Sequence, residues 1–269
     1  EIDAAGRPGA THLGPSRAAA VRWHALFSSP FFHPTTLLDR AELDRHALRY
    51  DPAYEQAQDY ELWTRLLVVA NGDNIPDVLV LHRVHAAQTS QRRRWGQRSF
   101  QRQIALDRIS AVAPSLTPEE AELAWLVGAG EPVTESARDA VGAYLELYDA
   151  FRSRGPAGLT SVRATVARAV MRAALRAPTG DRASILGKAL ALDPLLPVRG
   201  TGRAVTRRRR TREARGEATR VLAVLTNQGD PGPMRITVVS PEPTPYRSPL
   251  FDRIAARDDV DLTVLYAGR

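Results

Sequence analysis

An α/β unit, a run of helices and a closing βαβ fragment make up the architecture that the sequence predicts. Three observations carry it. Short β-rich runs at Pro34–Leu38 and Val78–Val84 flank a helical pattern over Asp59–Ala70. Helical periodicity then holds from Arg98 almost to residue 197. Two further apolar runs, Arg235–Ser240 and Val260–Tyr266, enclose a short helical pattern at Leu250–Ala256.

The bulk composition fits such a chain. Of the 269 residues, 43% are hydrophobic and 25% charged, so there is apolar material for a sizeable core. Cysteine is absent, which excludes disulfides, thiol nucleophiles, zinc knuckles and iron–sulfur ligation. No apolar run reaches the ~18 residues of a membrane span. The first residue is Glu1 and no basic-then-apolar leader follows it, so the chain reads as cut from something longer. The net charge of +7 is local. Arg199–Arg220 carries nine arginines against two glutamates, which leaves the remainder neutral. All basic residues except Lys188 are arginine.

In chain order, residues 1–20 are rich in Gly, Ala and Pro and read as loop. Pro34–Leu38 reads as a short buried strand and Ala41–His46 as a helical turn. In Asp59–Ala70, Leu62, Leu66, Leu67 and Ala70 fall at helical spacing. Turn signals at Gly72–Asp73–Asn74 and Ile75–Pro76 precede the β-rich Val78–Val84. Gln101–Val112 is the first helix of the next region. Thr117-Pro118-Glu119-Glu120 combines a capping hydroxyl, an early proline and a glutamate three residues after the cap, which is a helix N-terminus. Glu135–Arg152 stops near Gly155-Pro156, Thr160–Leu175 before Pro178, and Asp181–Leu192 before Pro194. These readings divide the chain into 1–95 (α/β), 96–197 (helical), 198–233 (basic linker) and 234–269 (βαβ).

The densest constellation of chemically able side chains is FFHPTTLLDR (Phe31–Arg40), YDPAYEQAQDYELWTRL (Tyr50–Leu66) and VLVLHRVHAAQTS (Val78–Ser90). Asp59 opens a helix there, where the helix dipole and unpaired N–H groups favour a carboxylate. Taken alone it is either a capping aspartate or a general base at the mouth of a pocket. His82 and His85 stand three apart on a strand, hence on opposite faces, an arrangement that does not suit one shared metal.

As an ordered set these residues resemble the C-terminal half of a family 2 (GT-A fold) glycosyltransferase, whose segments run "YDP.F..AEDYELWLRL" and "VL..YRVH...S". The matching positions are Tyr50-Asp51-Pro52, Tyr54, Ala57, Asp59-Tyr60-Glu61-Leu62-Trp63, Arg65-Leu66, Val78-Leu79, and Arg83-Val84-His85 with Ser90. The resemblance spans residues 25–95. It implies a partial nucleotide-diphospho-sugar transferase fold and an inverting transfer of sugar from a nucleotide diphosphate to a hydroxyl. Asp59 would be the catalytic base, Gln58 and Arg83 would bind substrate, and His85 would be a metal ligand. Gln58 stands where the family has a glutamate, so a paired-carboxylate site is not implied. Trp63 and Leu66 read as the core face of the helix and His82 as structural. The family's divalent metal, Mg or Mn, is held by a D-x-D motif that this chain lacks ahead of Asp59. Asp259–Val260–Asp261 has the letters but reads as a surface turn. The implied partners are a nucleotide-sugar donor and a glycan or lipid-linked acceptor, in cytoplasmic synthesis of bacterial cell-surface polysaccharide at the inner face of the membrane. Without its donor half the piece is expected to be inactive.

Met234–Arg269 resembles the opening of a family 4 (GT-B fold) glycosyltransferase, a Rossmann-like βαβ start, though no GxGxxG is present. A different reading of the whole is a non-catalytic helical interaction module whose Arg199–Arg220 segment contacts anionic surfaces. No aromatic residues interleave those arginines, so specific nucleic-acid recognition by base stacking is not expected.

Overall fold

The structure is a computed structural model. It describes residues 1–3, 5, 7, 9–76, 80, 82, 94–133, 137–155, 158–196, 234–240 and 260–266. The chain divides into two compact units, Glu1–Arg215 and Gly216–Arg269.

In the first unit α1 (Ala18–His24) leads through a 3₁₀ turn (His33–Thr35) to α2 (Arg40–Arg45) and α3 (Gln58–Val69). Among the described residues five more helices follow: α4 (Arg94–Val112), α5 (Pro118–Ala129), α6 (Ala137–Ser153), α7 (Leu159–Arg176) and α8 (Thr179–Leu192). The starts and stops have local causes. The Thr117 hydroxyl accepts the Glu120 N–H at 3.2 Å while the Glu120 carboxylate accepts the Thr117 N–H at 2.9 Å, a reciprocal capping box that starts α5. Gly130, at φ 78°, ends that helix in the left-handed conformation. The α3 C-terminus is closed from outside: Arg22 donates to Leu67 O at 2.9 Å and to Ala70 O at 3.2 Å, placing a cation where the helix dipole is negative.

The main core joins α1 to the five long helices. Ala19, Trp23, Leu26 and Phe27 are buried with Ile109, Trp125, Tyr144, Leu147, Val166 and Ile185. Trp23, 2% exposed, sits among the rings of Phe27, Tyr144, Tyr148 and Phe151, with centroids 5.2, 5.6, 5.8 and 5.1 Å away, all edge-on. Gly128 lets Phe27 lie against α5, because a Cβ there would stand 2.2 Å from the Phe27 ring. The core thus contains residues from both sides of position 95. Tyr60 ties α3 to the same structure through a buried hydrogen bond from its hydroxyl to Ala25 O at 2.8 Å, and burial pushes its phenol pKa up. A smaller cluster forms where Leu48, Leu62 and Trp63 meet Phe31, Leu38 and Leu43.

The second unit shows β1 (Met234–Ser240) and β2 (Val260–Tyr266) as a parallel pair, with Met234 opposite Val260 and Arg235 opposite Asp261.

The expected fold class is overturned. Residues 1–95 were expected to form a partial GT-A α/β unit, yet the described residues of this stretch hold helices and a 3₁₀ turn and no strand. The protein is helical, and a pair of strands does not make it an α/β fold with a Rossmann-like βαβ fragment. The reason at Pro34–Leu38 is local. Pro34 has no N–H to give a ladder and is the second residue of the 3₁₀ turn. The Thr35 and Thr36 hydroxyls bond back to Phe32 O at 2.8 and 3.3 Å, competing with any extended pairing. Leu37, expected inside a strand core, is 94% exposed. Asp261 lies in strand β2 and not in a surface turn. The predicted helix Leu250–Ala256, the linker 198–233 and most of Val78–Val84 lie outside the described residues.

Candidate functional site around Asp59

Helix α3 gathers the site. Its backbone starts from Ala57, held at φ 60° and ψ 23° with its side chain buried against Tyr60 and Ile104. A non-glycine residue there costs about 1–2 kcal/mol, which packing offsets. No side chain caps the helix. Asp59 is therefore not the cap but the second helical residue, and its Oδ1 accepts the Tyr60 N–H at 2.8 Å. Its side chain keeps 26% of its surface exposed, enough to meet a ligand.

The other carboxylate oxygen faces a histidine. Asp59 Oδ2 lies 3.5 Å from Nδ1 of His33, the first residue of the 3₁₀ turn. The far ring nitrogen, Nε2, is 3.4 Å from the Tyr50 hydroxyl. The imidazole is edge-on to Trp63 at 6.0 Å between centroids and tilted over Tyr50 at 6.3 Å. Trp63 is fully buried, so it forms a fixed floor beneath a partly exposed His33.

The same helix holds the Tyr50 loop. Glu61 is 5% exposed and binds Arg65 one turn on, with both carboxylate oxygens 2.6 Å from guanidinium nitrogens. This pairing holds the Arg65 pKa above its ordinary value. Arg65 also donates to the carbonyl of Arg49 at 2.6 Å, fixing the backbone next to Tyr50. In DYELWTR, then, Asp59 faces His33, Trp63 packs beneath it, and the Glu61–Arg65 clamp sets the loop that carries Tyr50.

Of the residues expected at the site, Asp59 and Gln58 are adjacent at the start of α3, with Gln58 exposed. Arg83 and His85 lie outside the described residues. His33 was not singled out in the sequence, although its HPTT turn lies inside the constellation. Its pairing with Asp59 spans loops and a helix and leaves no local spacing signal. The Glu61–Arg65 clamp does leave one, the (i, i+4) acid–base spacing.

Among the described residues no group of three or more His, Cys, Asp and Glu is arranged so that it could hold a metal ion. Asp59 and His33 alone do not make a site for the divalent ion that the resemblance implies. No helix among the described residues is long and apolar enough to cross a membrane. No family model matches the chain, and no curated protein or solved structure matches it.

Proposed function

We propose that residues 25–95 supply the acceptor side of a sugar transferase that uses a nucleotide-diphosphate donor, with Asp59 as the base. The observation that carries this reading is the position of Asp59. It is a part-exposed carboxylate in the first turn of a helix, fixed by the Tyr60 N–H and flanked by His33, within an ordered set of residues resembling family 2 enzymes. Such a carboxylate can take the proton of an acceptor hydroxyl as that oxygen attacks the sugar carbon from the side opposite the leaving diphosphate. A nucleotide sugar and a glycan or lipid-linked acceptor are the substrates in this reading. Work on cell-surface polysaccharide at the cytoplasmic face of the membrane is the setting, and a divalent ion with ligands beyond this site is the cofactor.

The test is release of nucleoside diphosphate from nucleotide sugars in the presence of glycan acceptors, by an enzyme in which this acceptor side is joined to a donor-binding half, compared with its Asp59→Asn variant. Asparagine keeps the size and can still accept the Tyr60 N–H, but takes no proton. The expected loss is in kcat, about 10²–10⁴-fold. Undiminished turnover in Asp59→Asn refutes the assignment. Absence of turnover in that enzyme, together with salt-sensitive binding of the chain to anionic vesicles, favours the second reading, a helical interaction module acting through Arg199–Arg220.

A further inference from the structure

We infer that His33 is a positioning residue for Asp59, held in the Nδ1–H tautomer by the carboxylate, with its Nε2 facing the Tyr50 hydroxyl. The inference rests on the reading of Asp59 as a base, but its geometry is independent of the substrate. A neutral imidazole has one donor and one acceptor nitrogen. Nδ1 faces a carboxylate oxygen at 3.5 Å, and an ionised carboxylate only accepts. The proton therefore belongs on Nδ1. That leaves Nε2 bare and facing the Tyr50 hydroxyl at 3.4 Å, which donates to it. The Asp59 contact selects this tautomer, and the Tyr50 hydroxyl, which can donate or accept, is compatible with it.

Three supports hold this arrangement in register. The buried Trp63 ring meets the imidazole edge-on, with centroids 6.0 Å apart. The Thr35 hydroxyl fastens the 3₁₀ turn that presents His33 by bonding to Phe32 O. The Glu61–Arg65 clamp holds the Arg49 carbonyl, and with it the loop bearing Tyr50. Oδ1 accepts the Tyr60 N–H, and Oδ2 lies at ion-pair distance, 3.5 Å, from His33 Nδ1. The remaining lone pairs of the carboxylate then meet an incoming hydroxyl in one direction. Such orientation is what a 1 Å misplacement forfeits, at a cost of about 10²-fold in rate.

The experiment is ¹⁵N NMR of the full chain labelled at histidine, recorded at alkaline pH where imidazole is neutral, with His33 assigned from His33→Gln. The expected spectrum has a protonated Nδ1 and a bare Nε2 for His33, opposite to the preference of a free histidine side chain. Asp59→Ala should return His33 to the Nε2–H form. Tyr50→Phe should leave Nδ1 protonated but shift the bare Nε2 signal. An Nε2–H tautomer in the unaltered protein overturns the proposal. So does a His33 tautomer indifferent to Asp59→Ala in a variant with unchanged far-UV circular dichroism. If Asp59→Ala does not fold, the tautomer of the unaltered protein decides alone. The two readings fail separately. Full turnover in Asp59→Asn removes the base and leaves the tautomer standing, whereas the wrong tautomer removes the positioning role and leaves the base.

Discussion

Replacing Trp23 by alanine should destabilise the protein by about 4 kcal/mol, and the size of that number follows from where the indole sits. Burying an aromatic side chain of this class removes ~150–250 Å² from water. At ~25 cal/mol per Å² this is worth ~4–6 kcal/mol, an upper estimate because unfolded chains already bury part of that area. Trp23 is 2% exposed and touches four rings edge-on, so little of the cavity can collapse without moving Phe27, Tyr144, Tyr148 or Phe151. Core Trp→Ala changes of this kind cost ~3–5 kcal/mol. Against a total stability of ~5–15 kcal/mol, a loss of about 4 kcal/mol is about a quarter or more of the whole. Urea unfolding of the full chain followed by far-UV circular dichroism reads it as a lowered midpoint, and Trp23→Phe should lose less than half as much. The signal reports chiefly on α4 to α8, so the experiment asks whether α1 and those helices share one core. A Trp23→Ala midpoint within about 1 kcal/mol of the unaltered protein would refute the packing.

Two further outcomes follow from the same region. Gly128→Ala would gain up to about 1 kcal/mol of helix propensity in open space, but its Cβ meets the Phe27 ring at 2.2 Å. A net loss of about 1–3 kcal/mol is expected, with non-additive relief in the double variant with Phe27→Leu, and additive effects would contradict the contact. Burial lowers the His24 pKa, against a smaller upward pull from its hydrogen bond with the Ser29 backbone. The folded state therefore binds the proton less readily than the unfolded chain, whose value is about 6.5. The stability linked to His24 is complete above about pH 6.5 and is lost as pH falls through the lowered folded value. His24→Gln should flatten that fall in urea midpoints measured from about pH 8 to about pH 5, and an unchanged slope would assign it to other groups.

The helices were legible where their signals are local. Thr117 and Glu120 form the capping box that their spacing announces. α7 ends at Arg176 ahead of Pro178, and α8 ends at Leu192 ahead of Pro194. The start of α4 was read seven residues late, because RWGQRSF is polar and contains a glycine. A side chain at Gly96 would meet Gln56 at 2.9 Å, a tertiary approach that the sequence does not display. The strand reading of Pro34–Leu38 failed for a different reason. Apolar residues in a short run have no period long enough to separate strand from turn, and the hydroxyls of Thr35 and Thr36 decided the matter. At the site, Asp59 was visible as a carboxylate at a helix start, but its partner was not. His33 reaches it only after the 3₁₀ turn, α2 and the Tyr50 loop have been placed.

The contact between Phe27 and Trp125 also has a consequence in time. The Trp125 indole N–H donates to the Phe27 carbonyl at 3.3 Å across 98 residues of chain. A ribosome adding ~5–20 residues per second needs roughly 5–20 s to cover that separation. Throughout that interval the apolar face of α1, carrying Ala19 and Trp23, and Phe27 just beyond it have emerged ahead of the helices that cover them. Closing so long a loop is entropically dearer than forming the neighbouring α5–α6 or α7–α8 pairs. The order of assembly then runs against the order of synthesis, with the later helices pairing first and the earliest one docking last. The waiting aromatic face is the segment that a holding chaperone would find.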